Sequence, residues 1–116
     1  MPEFRQASEI EPGERGDGWT LSVLADHTHV PGMAMVARRW VFEPGAHGPE
    51  EQWTGDAERF LYVIAGSGRL KAGNRHSDLG PESVVWLEPG DRFRLQAGDD
   101  GLEVLDATSG AADPMR

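Results

Sequence analysis

The chain has 116 residues, the length of one small domain, and 38% apolar residues with 15 glycines and 8 prolines place it among globular chains, not disordered ones. Twenty acidic residues against eleven basic ones leave a net charge of −9, so in the absence of a basic stripe nucleic acid is a poor partner. There is no cysteine, which excludes a disulfide scaffold, a thiolate metal site and a cysteine nucleophile. No stretch is long and apolar enough for a membrane span or a secretory leader, and a soluble, cytoplasmic protein is expected.

Residues 1–18 hold Pro2, Pro12, Gly13, Gly16 and Gly18 without sustained apolar periodicity and are expected to form an irregular arm. The small, polar tail 109–116 is expected to fray, which leaves 19–108 as the folded domain. Within it, short runs rich in β-branched and aromatic residues occur at 19–24, 33–42, 59–65, 69–71, 75–79, 83–87, 92–97 and 102–106. With almost no helix signal, that spacing predicts an all-β sandwich or barrel. Gly66-Ser67-Gly68 and Ala72-Gly73-Asn74 carry the residues of tight hairpins, and Glu88-Pro89-Gly90-Asp91 those of a type II turn. Period-two alternation puts Phe93, Leu95 and Ala97 on a buried face and Arg92, Arg94 and Gln96 on the opposite one. From Glu58 to Ile64 both faces are apolar beyond the first pair. That strand is expected to be covered on its outer side as well, by the N-terminal arm or by a second copy of the chain.

Glu43-Pro44-Gly45-Ala46, Gln52-Trp53-Thr54 and the run from Arg59 through Tyr62 to Gly66 and Gly68 resemble the first sequence motif of the cupin superfamily. Leu79-Gly80, Val84 to Leu87 and Glu88 to Phe93 resemble the second. The resemblance implies a double-stranded β-helix, the jelly-roll barrel. In metal-binding cupins these motifs supply two histidines, a glutamate and a later histidine. The same register places Gln52 and Thr54 at the two histidines, Arg59 at the glutamate and Phe93 at the last histidine. Two weak neutral donors, a permanent cation and a phenyl ring make a poor metal site. No metal and no cofactor are therefore expected, and the barrel mouth becomes an organic pocket lined by Gln52, Thr54, Arg59 and Phe93. An inward arginine is costly to bury without an anion. That anion is either a protein carboxylate, from Glu58 if a bulge turns it inward or from elsewhere, or the carboxylate or phosphate of a ligand held by the guanidinium fork.

The histidines are less informative. His27 and His29 are two apart and would share a face of a strand, the geometry of a chelate; they lie outside the motifs, and a solvated loop is the simpler reading. His47, in a loop near the barrel mouth, is the first candidate for a general base, because its unperturbed pKa of about 6.5 suits proton transfer near neutral pH. Some cupins related to sugar-nucleotide epimerases and dehydratases act through a histidine and a tyrosine, but Tyr62 falls on the face opposite Arg59. His76 reads as exposed, and Trp40 and Trp86 as core or dimer surface. Three functions follow. The chain binds a small anionic organic molecule in a metal-free pocket, with a metal-independent isomerase, dehydratase or cyclase activity open to it; or it is a non-catalytic sensing module; or it is a metal enzyme with a site rebuilt from His27, His29, His47 and a glutamate. A homodimer is expected, since cupins commonly pair edge strands, which also protects those edges.

Overall fold

The structure is a computed structural model that describes residues 10–25, 35–54 and 58–109. Eight strands follow one another: β1 (Glu14–Gly16), β2 (Trp19–Ala25), β3 (Val36–Phe42), β4 (Glu51–Gln52), β5 (Arg59–Ala72), β6 (Arg75–Leu79), β7 (Val84–Leu87) and β8 (Arg92–Thr108). No helix occurs among the described residues. Every ladder is antiparallel.

The long strands β5 and β8 pair with each other and serve both layers of a jelly roll. Their outer segments, Arg59 to Gly66 and Leu102 to Thr108, form the first layer with β3, β2 and β1 on one side and β7 on the other. Their other segments, Gly68 to Ala72 and Arg92 to Ala97, form the second layer between β6 and β4. One core lies between the layers, with Leu21, Trp40, Phe42, Leu61 and Val104 from the first and Leu70, Leu79, Phe93 and Leu95 from the second. Alternation explains the burial. In β3 the residues Val36, Arg38, Trp40 and Phe42 are buried while those between are half-buried, and Phe93, Leu95 and Ala97 are buried as expected, with Arg92, Arg94 and Gln96 exposed.

Gly66-Ser67-Gly68 does not form the hairpin its composition predicts. It is the point where β5 passes from one layer to the other, and the ladder with β8 steps from Gly66↔Leu102 to Gly68↔Ala97. β5 advances two residues there while β8 advances five, and just before it β5 advances two, from Val63 to Ala65, while β8 moves one, from Val104 to Glu103. Both strands bend, and across the two irregularities both exchange the parity of their buried positions. The turns at Ala72-Gly73-Asn74 and Glu88-Pro89-Gly90-Asp91 form as predicted: Ala72 pairs with Arg75, and Asp91 N–H donates to the Glu88 carbonyl at 3.0 Å with Gly90 at φ 94°, the type II pattern. Two short strands escaped the sequence: β1, inside the arm expected to be irregular, and β4. The outer side of β5 is only partly covered. Phe60 packs on Trp86 at 5.2 Å between ring centroids, yet Ile64, Val84 and Trp86 are 43%, 48% and 67% exposed.

Gly66 has φ 85°, and a methyl group there would overlap the carbonyl oxygen of Gly101 on β8. Left-handed strain and the clash add, so Gly66→Ala is expected to cost about 2–4 kcal/mol, read as a lower urea midpoint. Gly73→Ala has a positive φ but open space around the new carbon and should cost about 1 kcal/mol.

Candidate functional site

Among the described residues the charged groups sealed inside the barrel are Arg38, Arg59 and Asp106. Each is the single charged member of an apolar period-two series: Arg38 among Val36, Trp40 and Phe42 on β3, Arg59 ahead of Leu61 and Val63 on β5, and Asp106 after Leu102 and Val104 on β8. The registers bring them together, since Arg38 pairs with Asp106 and Leu61 pairs with Asp106 from the other side. Arg59 grips the carboxylate with two donors, Nε to Oδ1 at 2.9 Å and Nη2 to Oδ2 at 2.7 Å. Arg38 Nη2 and Trp40 Nε1 donate to Oδ2 at 3.1 and 3.0 Å. Glu51 of β4 completes the cluster, its Oε1 lying 3.6 Å from Arg38 Nη2 and 3.7 Å from Arg59 Nη2. Two guanidinium ions thus face two carboxylates, and the Arg59 ion also lies 5.4 Å from the Trp53 ring and 5.1 Å from the Phe93 ring, which is cation–π range.

Burial alone would raise the pKa of Asp106. The Arg59 hydrogen bonds and charge, the Arg38 charge and the Trp40 donor outweigh it and hold the carboxyl below its ordinary 3.8. Asp106 is therefore ionised throughout the neutral range.

Arg59 and Phe93 are buried, on the inner side. Gln52 and Thr54, expected beside them, are exposed. The reason is a shift of one residue: Glu51 pairs with inward Phe93, and Gln52 pairs with outward Arg92. A one-residue shift in a period-two element exchanges its faces, so Glu51 and Trp53 are the inward pair, and Trp53 is fully buried. Glu58 is exposed, and the anion facing Arg59 is Asp106, the internal ion pair that the sequence left as one of two readings. His47 is exposed and bridges Gln96 on the outer side of the second layer, away from the interior. Tyr62 is half-buried on the side opposite Arg59. His27 and His29 lie outside the described residues. Arg38, Glu51 and Asp106 were missed, although for Arg38 and Asp106 a lone charge in an apolar alternation was the available signal.

The metal slot of the cupin motif does not fit a metal here. A guanidinium occupies the glutamate position, Phe93 offers no donor, Gln52 and Thr54 face outward, and both oxygens of Asp106 are engaged. No group of three or more histidine, aspartate or glutamate side chains stands close enough together to hold an ion among the described residues.

A cleft lies beside this core, where the partners of β5 part. β6 pairs only with the second half of β5 and β7 only with the first, and the gap between their edges is a cleft of about 810 Å³, in the usual range for small-molecule sites. Leu70, Val85 and Leu87 supply its apolar lining; Arg75, His76, Trp86, Asp91 and Arg92 border it.

The AraC-like ligand binding domain model matches residues 39–105, more than half of the chain. The protein belongs to that family. No curated protein sequence matches the chain. Among solved structures, this AraC-like domain is similar to KdgF from Halomonas sp., with TM-score 0.77 and 18% identity over 98% of this chain and 100% of that one. It is similar as well to an RmlC-like cupin from Shewanella frigidimarina NCIMB 400, with TM-score 0.74 and 18% identity over 97% and 95%. A variant of oxalate decarboxylase from Bacillus subtilis matches with TM-score 0.78 and 17% identity over 91% of this chain, which spans 29% of that protein's length. At such identities the likeness shows the cupin jelly roll and nothing about substrate.

Removing the Asp106 charge leaves two buried guanidinium ions with one partly exposed carboxylate. Asp106→Asn is expected to lower the stability of the AraC-like domain by about 3–5 kcal/mol, with part of the loss recovered in the double variant Asp106→Asn/Arg59→Met. Because the folded pKa is depressed, the contribution is complete above the ordinary carboxylate range and is lost as pH falls through the folded value. Urea melts from pH 7 down to pH 2 should show this acid loss in the wild type and a shallower one in Asp106→Asn.

Proposed function

We propose that this cupin-fold ligand-binding domain takes a small organic anion in the cleft between β6 and β7, without a metal, and that Arg75 and Arg92 hold its charge. The observation that carries the reading is the lining of that cleft: two arginines and a histidine against one aspartate, in a chain of net charge −9, over an apolar floor. The family, described by its ligand binding, supports a binding role. Arg59, the first candidate for the anion, has its fork taken by Asp106, which moves recognition from the barrel centre to its open side. Leu87 lines the cleft and pairs with Arg59, so the closed core underlies the site as a rigid base. A cytoplasmic location accords with the absence of cysteine, and no helix of the described residues is long and apolar enough to cross a membrane.

A homodimer is part of the proposal. Ile64, Val84 and Trp86 project from neighbouring strands of the first layer with about half or more of their surface exposed, next to Phe60. A twofold pairing covers the same patch on both copies at once, and Trp86 borders both this patch and the cleft.

Thermal-shift titration with a panel of small organic acids and their uncharged amides tests the site. Acids should raise the melting temperature and amides should not; Arg75→Glu should weaken the best acid at least ~10-fold, the scale of one charge-assisted hydrogen bond. Divalent metal ions should give no shift. Equal binding of an amide, or unchanged affinity in Arg75→Glu, would refute the reading.

Light scattering should give twice the chain mass of 12.7 kDa for the wild type. Trp86→Ser/Ile64→Ser should give the single-chain mass with an unchanged melting profile for the fold.

A further inference from the structure

On the outer side of the second layer, Lys71, Arg92 and Arg94 surround a smaller cleft of about 270 Å³ with Gly73, Phe93 and Glu50. Lys71 and Arg94 sit directly opposite each other on β5 and β8, and His76 is opposite Lys71 on its other side. Like charges placed opposite one another across a sheet are destabilising. In a chain with nearly twice as many acids as bases, composition does not account for them. Nor is a partner out of reach on this face: one pair earlier, Arg69 has Asp78 at 3.4 Å, and Arg92 has Glu50 at 3.5 Å. Lys71 and Arg94 have no ion-pair partner among the described residues. The sheet holds two cations together and leaves their charge unanswered.

The ladder between β5 and β8 ends at this pair. Beyond it β5 turns away at Gly73, which has φ 61° and open space on its side-chain side, while β8 begins at Arg92. Gly73 and Arg92 line both the small cleft and the large one. The two clefts are therefore neighbours around the end of the ladder, with Arg92 between them.

We infer that the small cleft is a phosphoryl subsite, and that the ligand of this domain is a phosphorylated small molecule whose organic body lies in the large cleft. The second half of this statement rests on the proposed ligand site; the first stands on the small cleft alone. Three cations against one carboxylate leave an excess of two positive charges. That matches a phosphate monoester, which carries close to two negative charges at neutral pH, better than a single carboxylate. Arg92 and Arg94 bring planar forks that meet phosphate oxygens in pairs, and Lys71 adds a point charge. The cleft is large enough for one such group, not for a polymer, and the net charge of −9 disfavours polyanions.

The test is an amide NMR titration with inorganic phosphate at pH 7.5 and constant ionic strength, balanced with sodium chloride. Saturable shifts are expected at Lys71, Gly73 and Arg92 to Arg94. Lys71→Ser/Arg94→Ser should weaken phosphate at least ~10-fold, whereas Arg69→Ser, which removes a cation from the same face outside the cleft, should change it less than ~2-fold. Linear, non-saturating shifts, or the same weakening in both variants, would overturn the subsite. So would an affinity for polyphosphate that climbs with chain length, the signature of a surface for a polymer. Organic acids that bind at Arg75 while phosphate leaves Lys71 and Arg94 unmoved would remove the subsite and keep the large cleft. Phosphate bound at Lys71 and Arg94 with no organic acid in the large cleft would do the reverse.

Discussion

Asp106 accepts four hydrogen bonds from three side chains on two strands, in a position sealed from water. A carboxylate and two guanidinium ions can be held there only if every charge finds its counterpart inside, because the dehydration of each ion costs several kcal/mol. The cluster is consequently a constraint on the whole barrel. Arg38 comes from β3, Arg59 from β5, Asp106 from β8 and Glu51 from β4, and a slip of one residue in any of these strands would carry a charge to the wrong face. Its energetic gain over an apolar core of the same volume is small or negative. What it adds is a penalty on every alternative register, in a fold whose neighbouring ladders already contain bulges.

This closure also underlies the place proposed for recognition. A free inward arginine would make the barrel centre an anion site, and Arg59 is inward as the cupin resemblance implies. With Asp106 bound side-on, its fork is no longer available, and Trp53 and Phe93 lie against its guanidinium. The donors of the proposed sites are instead at the margin, where β6 and β7 part and where the ladder of β5 with β8 ends.

The strand pattern was readable because alternation is a direct consequence of pleating. β6 was bounded to the residue, and the inner face of the first part of β8 was correct. What alternation could not reveal is the exchange of parity in β5 and β8. Gly66-Ser67-Gly68 has the composition of a hairpin, and only the long-range pairing with Ala97 and Leu102 turns it into a bend within one strand. The same limit displaced two of the residues expected inside. The motif register gave Arg59 and Phe93 their inward positions but put Gln52 and Thr54 inside in place of Glu51 and Trp53, because the two-residue strand β4 is defined by its partner on β8 and not by any pattern of its own. Asp106 was legible in principle: an acid that follows Leu102 and Val104 at period two is an inward charge, and Arg38 in its own series calls for one.

The bend in β5 has a further consequence. A strand of 14 residues that crosses from one layer to the other cannot keep a single neighbour on its free edge, so β6 takes the second half, β7 the first, and a gap opens between them. The gap is thus built by backbone geometry and by the glycines that permit it, and the core beneath it is locked by Asp106. Neither depends on Arg75, Arg92, Lys71 or Arg94, all exposed or on the rim. In the proposed reading stability and recognition are carried by separate residues, which is the arrangement that lets one barrel present different rims to different ligands. It also accounts for a shared jelly roll at 17–18% identity: the constraint on sequence lies in the period-two faces and the bend, and the chemistry of the margin is free to change.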